Sequence, residues 1–143
     1  MFKKILLAVD GSEASQKAVN WAIQAYQEIP DVQITLLYVH QPYYLPVADA
    51  NGYLPIAHEP ADLEVPEATP AFAAWKQFPD QQRVTYQTLQ GNPANIICEE
   101  AKNGQFDAIV LGSEGHGVVS SVLLGSVSAK VLHHAPCSVL IVR

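Results

Sequence analysis

The chain has 143 residues, 49% hydrophobic and 15% charged, which fits one domain (1–143) with a sizeable buried core and describes a compact globular protein, not a disordered one. Eight Lys and Arg against fourteen Asp and Glu give a formal charge of −6, the wrong sign for a nucleic-acid surface. The opening apolar run is too short for a signal core, and none approaches the ~18 residues of a membrane span. The expectation is a cytoplasmic protein with neither nucleic acid nor membrane as a partner.

Ile5-Leu6-Leu7-Ala8-Val9 is an unbroken apolar run, the pattern of a strand buried on both faces. Asp10-Gly11-Ser12 is a turn, and Ser12 or Ser15 can cap the helix that follows. From Ala14 to Tyr26, apolar residues at Ala18, Trp21, Ala22, Ala25 and Tyr26 keep helical spacing, closed by Pro30 and Asp31. Gln33 to Val39 reads as a second strand. The three elements make a βαβ unit with a right-handed crossover.

Between His40 and Pro79 the texture changes, because seven of the ten prolines fall there. Proline at that density prevents a long regular helix, so Gln41 to Val65 is expected to be a long surface excursion, with a short helix within Glu67 to Gln77. Tyr43, Tyr44, Tyr53, Phe72, Trp75 and Phe78 in this region could form a lid or partner surface, or pack locally over the sheet. Arg83 to Leu89 alternates as a strand. Gly91-Asn92-Pro93 turns into a helix over Ala94 to Lys102, ended by Asn103-Gly104. Asp107 to Leu111 is a fourth strand, Val127 to His134 a last helix, and Ser138 to Val142 a fifth strand. Five strands interleaved with about four helices predict an α/β fold, a parallel sheet covered on both faces.

Four of the eight glycines lie between Gly112 and Gly125, where a strand leads into a helix. Glycine lets backbone approach an anion closely, and the unpaired N–H groups of a helix start point toward it. Ligands of open α/β sheets bind at the carboxyl ends of strands where the strand order reverses. With the first strand central, Asp10 and Gly112 face one crevice. A carboxylate there can meet ribose hydroxyls, and glycine amides opposite can hold phosphates.

Gly112, Gly115, Gly125 and Ser126 resemble the G-2x-G-9x-G-(S/T) motif of ATP-binding universal stress proteins. Ile5 to Ser12 is similar to that family's opening strand, and Gly125 to Cys137 to its closing block. The resemblance covers essentially the whole chain and is weakest between about 41 and 80. It implies an open five-stranded parallel sheet in the order 3-2-1-4-5, Rossmann-like and of the adenine-nucleotide α-hydrolase kind, paired as a homodimer through the last strand, Val139 to Val142. It also implies that Asp10 meets the ribose and the Val39 backbone the adenine, with Leu111 and Gly112 lining the crevice. The amides of Gly115, Gly125, Ser126 and Val127, with the Ser126 hydroxyl, would take the phosphates. Where family members often carry an arginine after the second glycine, this chain has Glu114-Gly115-His116-Gly117. A carboxylate there repels a triphosphate unless Mg²⁺ or a protonated His116 intervenes, which leaves room for AMP or ADP beside ATP. Ser138 replaces a common proline, a change expected to be neutral.

Each signal has a plainer reading. The glycine segment could be a tight connection without a ligand, Asp10 a turn or capping residue, and His116 a solvated loop residue. His133 and His134 point about 100° apart on a helix and are polar groups at its C-terminus, not a metal pair. Cys98 and Cys137 read as small buried residues without metal spacing. No Ser-His-Asp order, paired catalytic carboxylates, HExxH or Walker pattern is present, so neither catalytic residues nor a metal site are predicted. The leading expectation is an ATP-binding stress or regulatory module without efficient turnover. The alternatives are a nucleotide-free dimeric interaction protein and a weak ATPase or adenylyl-transferring enzyme.

Overall fold

The computed structural model describes residues 2–49, 52–58, 69–114 and 124–143, with the backbone alone over 43–49 and 52–58. The chain runs β1 (Lys4–Ala8), α1 (Glu13–Glu28), β2 (Gln33–His40), β3 (Tyr43–Asp49), β4 (Gly52–His58), α2 (Pro70–Trp75), β5 (Val84–Gln90), α3 (Pro93–Asn103), β6 (Ala108–Gly112), α4 (Ser126–His134) and β7 (Ser138–Val142). Five strands form one parallel sheet in the order β5-β2-β1-β6-β7. Counted along the sheet's own strands this is 3-2-1-4-5, as expected. The central strand β1 pairs with β2 and β6, and Leu7 sits opposite both Leu36 and Val110.

Alternation along the strands divides the core into two layers. Ile5, Leu7, Ile34, Leu36 and Val110 pack with Ala18, Val19 and Ala22 of α1 and Ala71 and Ala74 of α2. Leu6, Leu37, Ile109 and Leu111 pack with Ala94, Ile97 and Ala101 of α3 and Val131 of α4. Every residue of β6 is buried, which is why it reads as an unbroken apolar run. Each fully buried Leu or Ile contributes about 1.5–3 kcal/mol of transfer free energy, so β1 and β6 anchor both layers.

Local chemistry sets the helix ends. The Ser12 hydroxyl accepts the Ser15 N–H at the start of α1 (3.2 Å), Thr69 that of Phe72 in α2 (3.3 Å), and the Asn92 side chain that of Asn95 in α3 (3.2 Å). The last turn of α1 has no basic residue of its own. Arg83 supplies the charge from the start of β5, donating to the carbonyls of Tyr26 (3.1 Å), Val32 (2.8 Å) and Ile29 (3.5 Å). Its guanidinium stacks 3.9 Å from the Tyr26 ring centre, and the Tyr26 hydroxyl donates to Asp80. At the amino edge of the sheet, Asp107 accepts the backbone N–H groups of Lys3 and Lys4, each at 2.9 Å.

The expected irregular excursion contains an antiparallel hairpin instead. β3 and β4 pair from Tyr43↔His58 to Asp49↔Gly52, with Pro46 opposite Pro55. A two-stranded ribbon consists only of edges, so prolines that lack a donor are tolerated in both strands. Within that excursion, 50, 51 and 59–65 lie outside the described residues, as do Glu67 and Ala68, where the following helix was expected to start. The described helix begins at Pro70. Of the aromatic group, Phe72 and Trp75 pack with Tyr86 as three mutually close rings (5.2–5.6 Å between centres), and Phe78 meets Tyr26 edge-on.

Candidate functional site

The reversal of strand order lies between β1 and β6, so their carboxyl ends open one crevice. Val9 extends β1 by donating to Leu37 O (2.9 Å), which keeps the Asp10 turn beside the end of β2. The turn is locked locally. Asp10 Oδ1 accepts the Ser12 N–H (2.9 Å), the Asp10 N–H donates to Ser15 Oγ (3.1 Å), and Gly11 takes φ +80° in the left-handed region. Asp10 therefore does the work of a turn residue whatever else its carboxylate meets. Val39 stands one residue before the end of β2, opposite Leu89, half-buried and packed toward α3 and α4. His40 follows it, buried, and its carbonyl accepts the Gly91 N–H (3.0 Å).

At the end of β6, Leu111 is buried in the α3/α4 layer, so its side chain belongs to the core and only its backbone reaches the edge. Gly112 is a packing glycine. A Cβ there would lie 2.6 Å from the backbone C and O of Ala14 and 2.9 Å from Ser15 N, in the first turn of α1. On its other side the buried Ser128 hydroxyl donates to Gly112 O (2.8 Å). Ser113, also buried, donates its N–H to Val142 O (3.0 Å) and accepts the Gly125 N–H (2.7 Å). The Gly125 amide, expected to face phosphate, is thus already occupied within the protein.

Gly125 caps α4 with no side chain to offer, and the first intrahelical bond is Ala129 N–H to Gly125 O. The amides of Ser126, Val127 and Ser128 precede that bond. Among the described residues, α4 is the one helix without a side-chain cap, and it begins where β6 ends. Such a start attracts anions. Gly115, His116 and Gly117 lie outside the described residues. No group of three His, Cys, Asp or Glu able to hold a metal occurs among the described residues.

The sequence model of the universal stress protein family matches residues 1–143. The chain belongs to the universal stress protein family. Among the relatives of this universal stress protein, one from Thermus aquaticus is 39% identical over 143 residues, all of both chains. The solved structure of UspA from Lactobacillus plantarum is 29% identical and superposes with a TM-score of 0.71 over 99% of this chain and 98% of that one. Two further structures share the fold at lower identity. A universal stress protein in complex with cAMP has 23% identity and a TM-score of 0.66, over 99% of this chain and 97% of that one. A family protein from Arabidopsis thaliana with AMP bound has 22% and 0.63, over 98% and 90%.

Sequence reasoning missed two serines that build the crevice wall of this universal stress protein, Ser113 and Ser128. A polar residue recurring at a core-facing helix position is the signal that could have found Ser128. A groove of about 170 Å³ adjoins the Asp10 turn between α1 and α2, lined by Val9, Ser12, Ser15, Val19, Pro70 and Ala74. The amides of Gln16 and Gln77 bond reciprocally beside it (2.7 and 3.2 Å). Both cysteines are half-buried and unlinked, and burial pushes both thiols up in pKa. No helix among the described residues is long and apolar enough to cross a membrane.

Proposed function

We propose that the chain is a cytoplasmic regulatory module that binds an adenine nucleotide at the carboxyl ends of β1 and β6, without efficient turnover. The observation that carries this reading is the uncapped first turn of α4, set beside the crevice where the strand order reverses. The relatives crystallised with cAMP and AMP support adenine as the base. In this reading the Ser126 and Val127 amides and the Ser126 hydroxyl take phosphate, together with Gly115. Asp10 meets the ribose, and the Val39 backbone the adenine. ATP, ADP and AMP all fit the reading, and Glu114 makes Mg²⁺ the natural companion of the triphosphate. A homodimer through β7 is part of the same proposal, because Val139 to Val142 stay half-exposed on an edge strand despite being apolar.

Calorimetric titration of the nucleotide-stripped protein with ATP and Mg²⁺, then with AMP and cAMP, tests it. Saturable, stoichiometric heat is the expected result. Silence with every adenine nucleotide at millimolar concentration would overturn the reading. One observation favours a nucleotide-free interaction protein instead. Gly112 and the Gly125 amide both have structural duties that explain them without a ligand.

A further inference from the structure

The segment from 103 to 129, which carries β6 and the start of α4, contains no Lys or Arg, while it contains Asp107 and Glu114. A phosphate chain at the α4 start would therefore meet amide dipoles and a half-buried carboxylate, and the one fixed positive charge of α4 itself, Lys130, lies exposed a full turn beyond Ser126. The fold brings another from elsewhere. Gly112 pairs with Val142, and the Ser113 N–H donates to Val142 O (3.0 Å), so Arg143 follows directly on the residue bonded to Ser113, at the carboxyl edge beside the end of β6. Ser113 in turn holds the Gly125 N–H, so Val142, Ser113 and the α4 cap form one bonded path. Four other cations, Lys3, Lys4, Arg83 and Lys102, belong to the opposite, amino edge of the sheet, near the starts of β1 and β5 and the end of α3. Lys76 directly follows α2, and Lys17 lies exposed on the second turn of α1.

From this placement we infer that Arg143 is the counter-charge on the phosphate side of the crevice, offsetting Glu114 and determining how many phosphates are held. The inference rests on the nucleotide reading above. Arginine suits the task because its planar guanidinium bonds two phosphate oxygens at once and stays charged at any working pH.

The test is a calorimetric series with adenosine, AMP and ADP on the full chain, its Arg143→Gln variant, and Lys17→Gln and Lys130→Gln controls. Adenosine, which has no phosphate, should bind the Arg143→Gln variant as it binds the parent, which also certifies the fold. ADP should bind it about five- to ten-fold more weakly, the loss growing from AMP to ADP, and Arg143→Lys should recover part of it. Equal ADP affinity in parent and Arg143→Gln overturns the inference while leaving the nucleotide reading intact. So does a loss of equal size for adenosine, or a larger phosphate-dependent loss in Lys17→Gln or Lys130→Gln. A parent protein that binds none of the three ligands overturns the nucleotide reading, and this inference with it.

Discussion

Gly112→Ala isolates the packing role of the crevice glycine from any role in binding. The added methyl would lie 2.6 Å from two backbone atoms of Ala14 and 2.9 Å from a third, in Ser15. Ordinary carbon contacts begin at about 3.5 Å, so the first turn of α1 must retreat by nearly ~1 Å. That turn cannot yield cheaply. It carries the Ser12 cap, and its Ser15 hydroxyl holds the Asp10 N–H. Overpacking of this kind costs about 1–3 kcal/mol, and the backbone identity of the obstructing atoms puts the expectation in the upper half, about 2–3 kcal/mol. For a chain of this size that lowers the midpoint of thermal unfolding by roughly 6–12 °C. Urea unfolding followed by far-ultraviolet circular dichroism measures the free energy, with thermal melts alongside. A loss below about 0.5 kcal/mol would refute the packing argument and leave the glycine needing a ligand to explain it.

Arg83→Ala should cost about 2–3 kcal/mol in urea unfolding, because it uncovers three carbonyls around the end of α1 and removes the stack on Tyr26; a change within 0.5 kcal/mol would show the cap to be redundant. The two N–H bonds from Lys3 and Lys4 hold the Asp107 carboxyl below its ordinary value, and the Tyr26 hydroxyl does the same for Asp80. A carboxylate depressed on folding lends its stability above the unfolded pKa of about 3.9 and loses it as pH falls through the folded value. Stability should therefore decline below about pH 4, and the decline should be shallower in Asp107→Asn. An identical acid limb in that variant would exclude Asp107 as a contributor. Burial raises both thiols, so iodoacetamide at pH 7.5 should alkylate Cys98 and Cys137 more slowly in the folded protein than in urea. Equal rates would contradict that burial.

The five-stranded sheet was legible because parallel strands covered on both faces leave unbroken apolar runs. Ile5 to Val9 and Ala108 to Leu111 are such runs, and both are too short for a buried helix. The hairpin was missed because proline was weighed as a breaker. Tyr44-Leu45-Pro46-Val47-Ala48 and Tyr53-Leu54-Pro55-Ile56-Ala57 are nearly the same pentapeptide on either side of an Asn51-Gly52 pair, and that repeat was the available signal. The location of the candidate site was legible in outline: Asp10, Val39, Gly112 and the start of α4 gather at the carboxyl edge, while their roles remain the proposal above. Its wiring was not. Whether a glycine is there for a ligand or for a neighbour depends on what its missing Cβ would touch, and for Gly112 that neighbour, Ala14, lies almost a hundred residues away in sequence. The same holds for the Gly125 amide, whose partner is the Ser113 carbonyl at the end of β6. The cysteines, expected to be buried, proved half-exposed because each sits at the rim of the α3/α4 layer.

An unfinished end on a nine-residue helix also bears on how the protein folds. A helix that short has little stability of its own in water, and with Gly125 as its cap α4 forgoes a few tenths of a kcal/mol relative to a Ser, Thr or Asn at its start. Any anion seated on those amides completes the helix from outside. Occupancy would then register as resistance to unfolding, about 2.7 kcal/mol when the ligand stands at 100 times its dissociation constant. If the proposed nucleotide seats there, the protein would report its concentration through its own melting point and its lifetime against proteases, with no change of shape required.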